Sequence, residues 1–226
     1  MAATVLLFDV DGTLITTGGA GRRAMAQAFG DVCGDPTALE SIRLGGRTDR
    51  SILREGLGRI GREFDETLFV AIVEAYLVHL AREVGASTEY HVMEGAADLL
   101  RRCAAADVAL GLGTGNVRRG AEIKLERGDL AAHFGFGGFG DDAEDRGELL
   151  RAGARRGASA LKVPLADCRV VVVGDTPRDI DAAAAIGAEC VAVATGGYGA
   201  EELQAYNPAL VVESLADGRV ESLLIG

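Results

Sequence analysis

Val5-Leu6-Leu7-Phe8-Asp9-Val10-Asp11-Gly12-Thr13-Leu14 is the stretch on which the reading of this chain turns. Its four apolar residues do not alternate with polar ones, the pattern of a strand covered on both faces, as in a parallel sheet. The Asp-Gly pair that follows is turn chemistry. Three further runs have the same form: Val108 to Leu112 before Gly113-Thr114, Val170 to Val173 before Gly174-Asp175, and Val191 to Ala194 before Thr195-Gly196. Helical patterns lie among them over Ala96 to Ala106, Val117 to Arg127, Glu148 to Gly157 and Ile180 to Ile186. Alternation of strand and helix through residues 88–226 predicts a doubly wound, parallel-sheet α/β domain.

Residues 18–87 break that rhythm. Leu68, Ile72, Val73, Tyr76, Leu80 and Val84 recur at spacings of three and four, and Ile52, Leu53, Leu57 and Ile60 mark a second amphipathic helix. Gly18, Gly19 and Gly21 on one side, with Gly85 and Gly95 on the other, punctuate the two crossings and suggest hinges. The expected organisation is therefore a core of residues 1–17 and 88–226 and a helical cap of residues 18–87.

With 226 residues, 48% of them hydrophobic and 25% charged, the chain has enough apolar material for a full core, which excludes a disordered or fibrous class. Its 34 acidic residues against 23 Lys and Arg give a net charge of -11, the wrong sign for a protein that neutralises nucleic-acid phosphates. No apolar run approaches the roughly 20 residues of a membrane span. Cys33, Cys103, Cys168 and Cys190 form no CxxC pair and follow no signal-like segment, so a reduced, cytoplasmic location is expected. His79, His91 and His133 have no metal or catalytic spacing and read as structural or surface residues.

Ligands of open α/β sheets bind beyond the carboxyl ends of the strands, so Asp9, Asp11, Thr114, Asn116 and Asp175 should converge. Two carboxylates about 5 Å apart repel by roughly 3 kcal/mol at an effective dielectric of 20, which calls for a cation or a shared proton. An oxygen-only donor set of Asp9, Asp11 and Asp175, with Asp179 one turn further on, suits Mg²⁺. Gly113-Thr114-Gly115-Asn116 offers a hydroxyl, an amide and open backbone at a helix start, an arrangement suited to phosphate. Each motif taken alone is also compatible with a capped helix or a turn; the set in this order points to phosphoryl chemistry.

Asp9 to Leu14 matches DxDGTL, Gly174 to Asp179 matches GDxxxD, and Thr114 ends a strand between them. On these motifs the chain resembles the haloacid dehalogenase-like (HAD) hydrolase superfamily, with its Rossmann-like core, and within it the phosphoglycolate-phosphatase-like branch with a helical cap. The resemblance covers nearly the whole chain. It implies Asp9 as nucleophile, Asp11 as general acid and base, and phosphate held by Gly12, Thr114, Gly115 and Asn116. It further implies Mg²⁺ on the Asp9 carboxylate, the Asp11 carbonyl and Asp175, supported by Asp179. The family's third-motif cation is usually Lys in a Lys-Pro stretch, absent here. Arg146 is the preferred substitute and Lys124 the competitor, because Lys124 lies about two helical turns, near 11 Å, from its helix start.

The implied activity is hydrolysis of a small phosphorylated metabolite through an aspartyl-phosphate, by a monomer or homodimer. Asp11 argues against the dehalogenases, which expel a halide needing no proton, and the lack of lysine in residues 18–87 argues against the Schiff-base phosphonate hydrolases. A phosphosugar mutase resembling beta-phosphoglucomutase, and a non-enzymatic phosphoacceptor module, stay open. Arg47, in Gly45-Gly46-Arg47-Thr48-Asp49-Arg50, is either a cap ligand for a substrate carboxylate or second phosphate, or an exposed arginine at a helix start.

Overall fold

The computed structural model describes residues 3–226. The chain opens with β1 (Ala3–Phe8) and β2 (Ile15–Thr16), then α1 (Ala20–Cys33), α2 (Asp49–Arg59) and α3 (Glu66–Ala86). It continues with β3 (His91–Val92), α4 (Ala96–Ala105), β4 (Val108–Gly113), α5 (Arg118–Glu126), β5 (Gly137–Gly138) and α6 (Arg146–Leu161). β6 (Cys168–Gly174), α7 (Pro177–Ala185), β7 (Glu189–Val193), α8 (Ala200–Gln204), β8 (Leu210–Val212) and α9 (Gly218–Ile225) complete it.

The main sheet is parallel throughout and runs β5-β4-β1-β6-β7-β8. Its unbroken apolar runs are buried on both faces, as parallel strands under helices must be. One apolar layer joins Leu6, Phe8 and Val173 to α4 and α5 residues such as Leu100 and Leu125; the opposite layer joins Leu7 and Val172 to Leu150 of α6 and Ile180 of α7. This is the doubly wound α/β core expected. β1 sits at the centre, where the strand order reverses, and the ladders align Phe8 with both Leu112 and Val173. The residues following β1, β4 and β6 are thereby delivered to one crevice.

α1, α2 and α3 supply a second apolar cluster, with Ile72, Tyr76 and Leu80 of α3 packed among Ala24, Phe29, Leu53 and Leu57. α1 runs along α3, and α3 packs against α5 of the core, with Val117 joining the same cluster. The crossings are built differently from the glycine hinges expected. Ile15 pairs with Val92 and Thr16 with His91, so β2 and β3 form an antiparallel ladder that ties the two connecting segments together. Gly18, Gly19 and Gly95 do adopt left-handed backbone, with φ of 58°, 79° and 80°. Gly21 and Gly85, however, lie inside α1 and α3 as ordinary helical residues.

Candidate active site

Asp9 extends β1 by one rung, donating its N–H to the Val173 carbonyl at 2.9 Å. Beyond it the chain turns sharply: the Val10 carbonyl accepts from Leu14 and Ile15, and Gly12 takes φ 83°. Only glycine suits that turn, because a Cβ there would also overlap the Asp175 carboxylate. Thr13, fully buried, donates its hydroxyl to Asp175 Oδ1 at 3.1 Å and fixes that carboxylate from below.

Asp175 follows β6, and Asp179 stands at the third position of α7. Asp179 Oδ2 accepts both the backbone N–H and the hydroxyl of Thr176, at 3.0 and 2.6 Å, which caps the helix and locks the side chain inward. Asp9, Asp175 and Asp179 are buried and bring oxygens within 4.8 Å of one another, a set able to hold a metal ion. Arg146, at the first position of α6, is buried against them. Its Nε and Nη2 donate to Asp179 Oδ1 at 3.0 and 2.5 Å, and Nη2 lies 3.1 Å from Asp9 Oδ2.

Three carboxylates against one guanidinium leave two negative charges in a buried site. The electrostatics register that excess. Burial, then the neighbouring Asp179 and Asp11, raise the Asp9 carboxyl to about 6 in spite of Arg146. Burial and the same kind of repulsion, from Asp179 and Asp9, push Asp175 well above the usual carboxylate range. A hard divalent cation would offset the excess, and an all-oxygen donor set suits one.

Asp11 does something else. Its side chain is 43% exposed and points away from the acidic cluster, with Oδ2 accepting from Lys124 Nζ at 2.6 Å and from Asn116 Nδ2 at 2.8 Å. The carboxylate that completes the cluster is that of Asp179, so any Asp11 ligation would fall to its backbone. Asn116 in turn accepts from Lys124 Nζ at 2.6 Å and donates to Thr114 Oγ1 at 2.8 Å. Thr114 is completely buried, its N–H bonded to Gly138 of β5.

Both candidate cations therefore reach the site. Lys124 sits well along α5 from the strand end, but the extended lysine stem spans the gap and brings Nζ to Asp11. Arg146 serves Asp9 and Asp179; Lys124 serves Asp11. Arg47 reaches the crevice, yet its guanidinium is taken up within the cap, by Glu55 Oε2 at 2.5 Å and by the Ser51 hydroxyl and carbonyl at 3.3 and 3.0 Å.

Sequence reasoning looked to Arg47 for the cap's contribution and missed Asp49. Asp49, at the start of α2, donates its N–H to the Gly115 carbonyl at 2.8 Å and accepts from Val117 N at 2.8 Å through Oδ2, which docks the cap over the Thr114 loop. The approach is so close that a Cβ on Gly115 would overlap the Arg47 carbonyl. Between cap and core lies a cavity of about 340 Å³, lined by Asp9, Asp11, Thr114 and Arg146 from the core and by Asp49 and Tyr76 from the cap. Among the described residues no helix is long and apolar enough to cross a membrane.

Solved structures of the same fold span nearly the full length of the chain. CbbY from Rhodobacter sphaeroides in complex with phosphate is 20% identical, with a TM-score of 0.70 and 96% of each chain covered. A predicted phosphoglycolate phosphatase from Haemophilus somnus 129PT is 16% identical, with a TM-score of 0.68, covering 97% of this chain and 98% of that one. Beta-phosphoglucomutase from Clostridium difficile is 19% identical, with a TM-score of 0.69, covering 98% of this chain and 95% of that one. No curated protein matches the chain. The family model for haloacid dehalogenase-like hydrolases matches residues 3–187. The chain belongs to that family of enzymes, the haloacid dehalogenase-like hydrolases.

Proposed function

We propose that the protein is a Mg²⁺-dependent phosphatase that hydrolyses a small phosphomonoester through an aspartyl-phosphate on Asp9. The observation that carries this reading is the division of the crevice into two charge systems. Asp9 sits with Arg146, Asp175 and Asp179 on one side, and Asp11 with Lys124 and Asn116 on the other.

Asp9, Asp175 and Asp179 would hold the metal, which when bound supplies positive charge that keeps Asp9 ionised and offsets the phosphoryl oxygens. An Asp9 oxygen attacks phosphorus in line, and the bond from phosphorus to the ester oxygen breaks. Asp11 gives its proton to the departing alkoxide. It is suited to this, because Lys124 and Asn116 hold Oδ2 while Oδ1 has no hydrogen-bond partner among the described residues. Water then loses a proton to Asp11 and attacks phosphorus, releasing phosphate and regenerating Asp9. Arg146, the Thr114 hydroxyl and the backbone around Gly12, Gly115 and Asn116 would steady the phosphoryl oxygens.

Family membership sets aside the non-enzymatic phosphoacceptor module. The four cysteines are all free and fit a cytoplasmic location. Phosphoglycolate itself would need an arginine for its carboxylate, and Arg47 would have to leave Glu55 to provide one. The test is turnover of p-nitrophenyl phosphate and a phosphomonoester panel, with and without EDTA, and acid-quench trapping of phosphoenzyme. Asp9→Asn should abolish both turnover and trapped phosphoenzyme; wild-type rates in that variant would refute the assignment. Interconverted sugar-phosphate isomers in place of free phosphate would identify a mutase.

A further inference from the structure

The cap carries two polar groups that the proposed chemistry does not use. Tyr76 of α3 is 1% exposed, and its hydroxyl makes no hydrogen bond among the described residues. Among the described residues no fully enclosed side-chain polar atom lacks a partner, so this hydroxyl must open onto the cavity that Tyr76 lines. It stands beside the acid-base group: a Cβ placed on Gly21 would be 3.5 Å from Lys124 Nζ and 3.9 Å from the Tyr76 hydroxyl, and Lys124 Nζ holds Asp11. Asp49, buried on the same cap wall, uses Oδ2 to accept from Val117 N and leaves Oδ1 without a hydrogen-bond partner.

Resting on the phosphatase reading, we propose that Tyr76 and Asp49 form a hydroxyl-reading subsite, selecting a leaving group that bears a free hydroxyl, namely a small polyol or sugar phosphate. The phenol hydroxyl and the carboxylate oxygen face the cavity without a protein partner, so a bound leaving group that displaces water from them must replace its hydrogen bonds. Together they offer a donor and an acceptor, which a hydroxyl can meet with its own acceptor and donor. A carboxylate would meet the charge of Asp49. Nor is a free guanidinium at hand for it: Arg47 is held by Glu55, and Arg22 donates to the Leu39 and Ile42 carbonyls at 2.9 and 2.7 Å. An ammonium would suit Asp49 but would meet Lys124 beside Tyr76. The cavity, about 340 Å³, lies at the small end of ligand sites, consistent with a leaving group of few carbons.

The experiment compares kcat/KM for sn-glycerol 3-phosphate and glucose 6-phosphate with that for 2-phosphoglycolate, phosphoethanolamine and p-nitrophenyl phosphate. The wild type should favour the better hydroxyl-bearing ester over 2-phosphoglycolate and phosphoethanolamine by about ten-fold or more. In Tyr76→Phe the ratio of that ester to p-nitrophenyl phosphate should fall about ten-fold, the scale of one hydrogen bond. Asp49→Asn keeps an oxygen for Val117 N and should narrow the discrimination against 2-phosphoglycolate. A wild-type preference for 2-phosphoglycolate or phosphoethanolamine, or ratios unmoved in both variants, would overturn the proposal. If no ester is hydrolysed at all, the phosphatase reading fails by itself. Calorimetric binding then decides the subsite: sn-glycerol 3-phosphate and glucose 6-phosphate should bind more tightly than inorganic phosphate, and Tyr76→Phe should abolish the difference. No such difference would overturn it.

Discussion

Arg146→Met removes the one cation inside the acidic cluster while keeping most of the side-chain volume. The guanidinium contacts Asp179 Oδ1 at 2.5 and 3.0 Å and Asp9 Oδ2 at 3.1 Å, and it is 8% exposed, so solvent screens little of the loss. Breaking a buried ion pair by deleting one partner costs about 3–5 kcal/mol. At about 2–4 °C per kcal/mol for a chain of this size, Tm in EDTA should drop by roughly 6–20 °C. Mg²⁺ should then recover a larger share of Tm in the variant than it adds to the wild type, because the cluster has lost its internal counter-charge. Turnover should fall by about 10²-fold or more even with saturating Mg²⁺, since a charge aimed at the transferring phosphoryl group is gone. Lys124→Met is the companion: it releases Asp11 rather than the cluster, so its Tm should show no enhanced response to Mg²⁺. Scanning fluorimetry in EDTA and in Mg²⁺, run on both variants, reads all of this. An Arg146→Met protein melting within about 2 °C of wild type in EDTA would refute the charge accounting.

Asp9, raised to about 6, and Asp175, raised well above the usual carboxylate range, are carboxyls whose folded-state affinity for protons exceeds the ordinary 3.8. Their contribution to stability is fully present below about pH 3.8 and, for Asp9, is lost as pH rises through about 6. Metal-free protein should therefore melt progressively lower as pH rises from about 4 to about 7, the two-unit shift of Asp9 alone amounting to about 3 kcal/mol over that whole window. The increment given by Mg²⁺ should grow over the same window; an increment independent of pH would contradict the metal assignment. Gly12→Ala forces a side chain onto a φ of 83° and into the Asp175 carboxylate. It should destabilise the protein by about 1–3 kcal/mol and weaken the calorimetric affinity for Mg²⁺, while an unchanged affinity would place the metal elsewhere.

Much of the fold was legible because β1, β4, β6 and β7 are buried on both faces and so appear as unbroken apolar runs. The parts that were not legible lack any local signal. β5 is two glycines, and only its pairing with Leu112 and Gly113 makes it a strand; β8 is three residues long. The β2-β3 ladder joins residues far apart in the chain, so the glycines flanking it looked like the whole hinge. In the site, Asp9, Thr114 and Asp175 could be placed because each follows a strand directly. The reach of Lys124 was not legible because spacing along a helix reports backbone distance, whereas a lysine stem adds its own length. Tyr76 was read correctly as a buried helical position, but periodicity reports which face a residue occupies and not whether its far end meets a cavity.

The two halves of the site are consequently specified in different ways. On the core side the reactive groups are set by topology: adjacent parallel strands end together, and the turn at Gly12 and the cap at Thr176 aim the carboxylates. On the cap side, position is set by contacts to main-chain carbonyls. Asp49 N–H reaches the Gly115 carbonyl, Arg178 the Gly45 carbonyl at 3.0 Å, and Thr48 the Glu144 carbonyl at 2.9 Å. Such contacts are indifferent to most side chains at the acceptor residue, except where approach is closest. Gly115 meets that exception, since a Cβ on it would run into the Arg47 carbonyl. A cap seated in this manner can close over the phosphoryl site in one position while the side chains lining its inner wall vary. On the proposed reading, phosphoryl chemistry belongs to the strand ends, and discrimination among leaving groups to the few cap side chains, Tyr76 and Asp49 first, whose polar atoms open onto the cavity.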